Sequence, residues 1–183
     1  DIHLVHRLNR LFLQGGIDRK VFLVAAGDPH ENYACFQELV VLAKRLNIEP
    51  LVKFIGSLPH ACMPVRNKAN TIEDLYYSCD LVSFLTSWDY DSYGNPVGEA
   101  ISAQRCYITT SYEYYWEVYG QHGFEAPVMA ISEENDGLPD EAFVGEVYAL
   151  LNDKQRMHDS AQRNFLIGEE VISDNVMGIL DLA

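Results

Sequence analysis

Apolar positions along this chain alternate between helical and strand spacing. Ile2, Val5 and Leu8 recur at helical intervals, which predicts a helix over Ile2–Leu13 that stops at Gly15-Gly16. The run Val21–Ala25 reads as a strand, and Gly27-Asp28-Pro29 as the turn after it. Helical spacing then returns over Tyr33–Leu46, carried by Phe36, Leu39, Val40, Ala43 and Leu46. Further on, short strands are expected at Val52–Ile55, Leu81–Leu85 and Tyr107–Thr109, alternating with helices at Ile72–Ser78 and Pro96–Gln104. Helices over Asp140–Leu151 and Lys154–Ile167 complete the pattern. Pro59 and Pro64 make the stretch from Ser57 to Asn70 an irregular connection, and the acidic segment Ser132–Asp140 a second one. Alternation of this kind predicts an α/β fold, a parallel sheet with helices on both faces. At 183 residues and 48% hydrophobic content, one compact domain burying roughly 70% of its extended surface is the expectation.

The stretch from Trp88 to Ala100 carries the chemistry. It sets two carboxylates, Asp91 and Glu99, eight positions apart across a turn that opens a helix. Asn95 is the expected N-cap and Pro96 the first helical residue, where a missing N–H costs nothing. A helix that begins past the carboxyl end of a strand aims its free N–H groups and positive dipole end into the crevice where α/β folds bind phosphates. Gly94 and Gly98 would let a ligand approach the backbone. Val97, Ala100 and Ile101 form the apolar stripe of this helix, and Glu99 lies off it, so its carboxylate is expected at the crevice rim. The plainer role for Glu99 is to complement the helix dipole, worth about 0.3–1 kcal/mol. A reciprocal capping box would need an acid at the position Gly98 holds. Two carboxylates beside a phosphate-binding turn suit a sugar nucleotide.

Here the chain resembles the carboxy-terminal, donor-binding domain of retaining GT-B glycosyltransferases of the large group-1 family that includes sucrose and glycogen synthases. Their hallmark is Glu-x7-Glu within a phrase like Tyr-Glu-Gly-Phe-Gly, then a few apolar residues, then Glu-Ala. Tyr90-Asp91-Ser92-Tyr93-Gly94 and Glu99-Ala100 reproduce phrase and spacing, with Asp91 replacing the first Glu. Phe22–Asp28, Val52–Gly56, Asp74-Leu75-Tyr76 and Ser78–Val82 resemble further family landmarks in the same order.

The resemblance implies a Rossmann-like GT-B half-domain over residues 1–183 that binds a nucleoside-diphosphate sugar. Glu99 would bind the ribose hydroxyls, and Asp91 would orient a hydroxyl of the donor sugar near the reacting carbon. Backbone around Tyr93, Gly94, Asn95, Pro96 and Val97 would face the diphosphate and sugar, Trp88 and Tyr93 would contact the ligand, and Gly56-Ser57 would lie beside the nucleobase. It also implies transfer with retention of anomeric configuration, no cofactor and no metal. The family's first strand, its Gly-Arg turn and following Lys, and its amino-terminal acceptor domain are not found in this chain. The expectation is therefore a donor-binding piece, inactive alone, whose partner is an amino-terminal GT-B domain. Nucleobase, sugar and acceptor are not readable.

Composition narrows the field from another side. Twenty-seven acidic against 13 basic residues give a formal charge of −14, which disfavours nucleic acid and anionic lipid as partners. No apolar run approaches 18 residues and no signal-peptide pattern opens the chain, so a cytoplasmic protein without a membrane span is expected. Cys35, Cys62, Cys79 and Cys106 are scattered without zinc-ligand spacing and are expected as reduced, buried thiols. His3 and His6 share a face of an ordinary amphipathic helix. Tyr112–Trp116 is read mainly as packing, with a sugar platform the lesser alternative. The competing function is a noncatalytic GT-B-like or flavodoxin-like binding module; a dehydrogenase is disfavoured because no G-x-G-x-x-G follows the first strand.

Overall fold

A computed structural model describes residues 1–61, 70–86, 94–131 and 137–172. The described residues form two compact units, Asp1–Leu75 and Tyr76–Ala183.

In the first unit, α1 (Ile2–Gln14) buries Ile2, Leu4, Val5, Leu8 and Phe12 along one face. It ends as the Gly15-Gly16 pair predicts. Gly16 adopts φ +65°, the Gly16 N–H donates to the Leu13 carbonyl and the Ile17 N–H to the Phe12 carbonyl, which is the double-bonded left-handed helix stop. Strand β1 (Leu23–Ala26) runs parallel to β2 (Val52–Gly56), joined through α2 (Tyr33–Arg45) and a short 3-10 turn at Glu49–Leu51. Asn32 caps α2 by accepting from the Cys35 N–H. Ile2, Val5, Ala43 and Ile48 form the centre of this unit, with Leu23, Leu39, Val52 and Phe54 against them.

The helix α3 (Ile72–Ser78) matches the predicted span and leads into the second unit. There β3 (Leu81–Phe84), β4 (Cys106–Thr110) and β5 (Val128–Met129) form a parallel sheet with β4 central. All five residues of β4 are buried, as a strand covered on both faces must be. Helix α4 (Asn95–Ser102) connects β3 to β4 and α5 (Tyr115–Val118) lies between β4 and β5, while α6 (Glu141–Asn152) and α7 (Lys154–Val171) follow β5. Asp140 and Asp153 cap α6 and α7 by accepting from Phe143 and Arg156 N–H groups. Helix α7 lies tight against α4, for a Cβ at Gly168 would sit 2.7 Å from the Ile101 methyl. Val97, Ala100 and Ile101 are buried as their spacing predicts, within a core that includes Tyr107, Tyr112, Tyr115 and Tyr119.

The elements β5 and α5 are not foreseen by the hydrophobic pattern. Two and four residues are too short to show a period; β5 exists because β4 offers it a paired edge. The expectation of buried thiols is corrected at Cys35, which is exposed on α2, whereas Cys79 is half-buried and Cys106 buried. Cys62 lies outside the described residues. The parallel strands and connecting helices make the α/β architecture that the alternation predicts. Among the described residues no helix is long and apolar enough to cross a membrane.

Candidate functional site

The site is built around the start of α4. Gly94, not Asn95, is its N-cap, in the left-handed region at φ 58°, ψ 61°. Asn95 is therefore the first helical residue and makes no side-chain cap, which corrects the predicted start by one position. The reason is a tertiary contact: Gly94 lies against the Tyr112 hydroxyl and the Phe84 ring, so a Cβ does not fit there, and its positive φ suits glycine. The space on the Cβ side of Gly94 is thus filled by protein. Phe84 ends β3, so this contact brings the helix N-terminus to the carboxyl end of that strand.

Pro96 falls in the first turn, where it removes no helical hydrogen bond. Val97 belongs to the core: its side chain is fully buried and its N–H donates to the Gly94 carbonyl at 2.8 Å. Asn95 is exposed.

Glu99 is half-buried one turn into α4, and its Oε2 accepts from the Tyr76 hydroxyl at 2.5 Å. Tyr76 stands on the last turn of α3, packed against the same core. Burial, then the hydrogen bond and negative charge of Glu99, raise the Tyr76 pKa far above the ordinary phenol value, so the phenol remains a proton donor. Tyr76 lies within a sequence landmark, but nothing in its spacing to Glu99, 23 residues on, reveals the pairing.

The carboxyl ends of the neighbouring strands are fixed by buried hydroxyls. Thr109 Oγ1 donates to the Phe84 carbonyl at 3.1 Å and Thr110 Oγ1 to the Thr86 carbonyl at 3.0 Å. Both threonines are fully buried. They tie down the backbone from Phe84 to Thr86, just ahead of Trp88 in the chain.

Trp88, Asp91 and Tyr93 lie outside the described residues. Gly94, Asn95, Pro96, Val97 and Glu99 come together on one helix start. Gly56 and Ser57 belong to the first unit, where Gly56 closes β2 at φ +74° and its carbonyl accepts from the Gly27 N–H at 2.9 Å. Ser57 is exposed.

The segment Tyr112–Trp116 divides between two roles. Tyr112 and Tyr115 are core residues in a chain of ring contacts, Phe84–Tyr112–Tyr115–Tyr119–Phe124, with centroids 5.5–5.9 Å apart. Such pairs contribute about 0.5–1.5 kcal/mol each beyond area burial. Trp116 is exposed. Among the described residues no three His, Cys, Asp or Glu side chains gather as a metal site.

No family model matches the sequence, and no curated protein matches it by sequence similarity. Solved structures do match in shape. The Anabaena protein Alr3699/HepE, crystallised in complex with UDP-glucose, superposes with a TM-score of 0.69 at 16% identity, over 99% of this chain and 45% of its own. WaaG, a glycosyltransferase involved in lipopolysaccharide biosynthesis, gives 0.65 at 16% identity, over 92% of this chain and 38% of its own. The C-terminal domain of the group 1 family glycosyl transferase LpcC from Francisella tularensis gives 0.63 at 15% identity, over 92% and 75%. This chain spans less than half the length of HepE and WaaG. Its fold is the Rossmann-like α/β fold that these structures share.

Proposed function

We propose that this chain is the donor-binding part of a retaining glycosyltransferase, which takes a nucleoside-diphosphate sugar and works with an amino-terminal domain that binds the acceptor. The observation that carries this reading is Glu99, a half-buried carboxylate held by Tyr76 one turn into a helix that starts at the carboxyl end of a parallel strand. Anionic ligands favour that end of an α/β unit, and a fixed carboxylate suits a vicinal diol because it accepts two charge-assisted hydrogen bonds. The fold adds support, since it is shared with glycosyltransferases and with HepE, a protein crystallised with UDP and with UDP-glucose.

In this reading Glu99 binds the ribose hydroxyls and Asp91 orients a hydroxyl of the donor sugar. Backbone near Tyr93, Gly94 and Asn95 faces the diphosphate, and Trp88 and Tyr93 contact the ligand. The bond from the anomeric carbon to the diphosphate breaks as the acceptor oxygen attacks from the same face. The departing diphosphate takes the acceptor's proton, and the donors around it stabilise its charge. No metal takes part. The thiols of Cys79 and Cys106, unpaired by disulfides, fit a reducing compartment such as the cytoplasm.

The test is an NMR titration of the 183-residue chain with UDP, GDP and ADP, then with their glucose conjugates. Shifts at Gly94 and Gly98 with one base preferred, and weaker binding by Glu99→Gln at unchanged fold, are expected. No binding of any of the three overturns the reading. Retention is checked in the longer protein, from the anomeric coupling constant of the first-formed product.

A further inference from the structure

We propose that Tyr76 is a positioning residue of the donor site, setting the Glu99 carboxylate for the ribose, and that Arg105 holds Tyr76 in place. The inference rests on the reading of Glu99 above and deepens it.

The geometry begins at the far end of α4. Gln104 takes a left-handed conformation at φ 52°. Its N–H donates to the Ile101 carbonyl and the Arg105 N–H donates to the Ala100 carbonyl, closing the helix in a left-handed stop. That stop fixes the backbone from which Arg105 extends. The guanidinium then reaches the end of α3, where Nε donates to the Tyr76 carbonyl at 3.2 Å and Nη2 to the Tyr77 carbonyl at 2.6 Å. The Cys79 thiol donates to the same Tyr76 carbonyl at 3.3 Å. A cation at a helix C-terminus satisfies carbonyls that have no partner inside the helix and complements the dipole there. Two contacts therefore bridge the same pair of elements, Arg105 to the backbone of Tyr76 and the Tyr76 hydroxyl to Glu99.

The consequence is orientation. A glutamate side chain has three rotatable bonds, and ordering it on ligand binding costs conformational entropy. The Tyr76 hydroxyl occupies Oε2 before a ligand arrives, so that cost is met in the free protein. The phenol does this without adding positive charge, and because it keeps its proton it does so across the working pH range. The carboxylate stays an acceptor with its other oxygen available for a diol.

The experiment is calorimetric titration of the 183-residue chain with UDP and 2′-deoxy-UDP, with the GDP and ADP pairs alongside, in wild type, Tyr76→Phe, Glu99→Gln and the double variant. Phenylalanine keeps the ring in the core and removes only the donor. Tyr76→Phe is expected to weaken the preferred ribonucleotide about five- to tenfold. Its affinity for the 2′-deoxy form should change little, so the preference for ribose shrinks in proportion. In the Glu99→Gln background the same substitution should cost nothing further. Equal loss for both sugars, or an undiminished loss without Glu99, overturns the inference while leaving the donor-site reading intact. Wild type that binds but shows no ribose preference, or that binds no nucleotide, overturns both. If Tyr76→Phe does not fold, Arg105→Lys serves instead, since it retains charge but loses the two-carbonyl grip, and the same selective loss is expected.

Discussion

The absent side chain of Gly94 is matched by the Tyr112 hydroxyl, which lies against the glycine so closely that any Cβ there would collide with it. Gly94 also needs φ 58°. Gly94→Ala therefore meets two penalties, a left-handed backbone worth about 1–2 kcal/mol and overpacking worth about 1–3 kcal/mol. A urea midpoint lowered by the equivalent of about 2–5 kcal/mol is the expected outcome. Adding Tyr112→Phe should recover part of that loss by removing the nearest atom. Full recovery would mean that the backbone conformation carries no penalty.

Asn164 is fully buried on α7 and grips one residue twice: its Oδ1 accepts from the Glu125 N–H at 2.8 Å, and its Nδ2 donates to the Glu125 carbonyl at 2.8 Å. Asn164→Ala leaves both backbone groups without these partners and should cost about 2–3 kcal/mol in chemical unfolding. Asn164→Asp should also destabilise, because a carboxylate cannot donate to the Glu125 carbonyl.

Stability should fall at alkaline pH, with a contribution traceable to Cys106. The thiol donates to the Met157 carbonyl at 2.9 Å, and burial pushes its pKa from 9.0 up to about 11. The folded protein thus holds this proton more tightly than the unfolded chain. Stability from this group is complete below pH 9 and is lost as pH rises from 9 to 11. Tyr76, Tyr107 and Tyr115 are shifted the same way, chiefly by burial, and continue the decline above pH 10. In Cys106→Ala the melting temperature should fall less between pH 9 and 11 than in wild type. A parallel fall would exclude the thiol.

Thr110→Val keeps shape and removes the hydroxyl that bonds the Thr86 carbonyl. About 1 kcal/mol of global stability should go with that hydrogen bond. Binding should suffer as well, since Thr86 leads into the stretch that carries Trp88 and Asp91. Weaker nucleoside-diphosphate affinity at preserved fold, read by the same titration, is the expected result. Unchanged affinity would show that the anchoring of Thr86 has no bearing on the donor site.

Several elements were legible because their signals are local. The Gly15-Gly16 stop and the Ile72–Ser78 helix each depend on residues within a few positions of one another. The stripe of Val97, Ala100 and Ile101 gave the buried face of α4 for the same reason. The helix start was misjudged by one residue because Asn95 and Pro96 make a good local cap, whereas the competing claim of Gly94 comes from Tyr112, 18 positions away. The carboxylate Glu99 could be singled out from its setting, but Tyr76 and Arg105 could not be attached to it.

The sequence by itself determined the α/β class, the order of the longer strands and helices and the presence of the helix on which the candidate site stands, since period and glycine and proline placement act over one or two turns. Tertiary structure alone decided that Gly94 serves Tyr112, that Cys106 is buried while Cys35 is not, and that Glu99 is held by a phenol from another helix. Those outcomes depend on which distant surfaces meet when apolar area is withdrawn from water, and burial of that kind is not encoded in any short window of the chain.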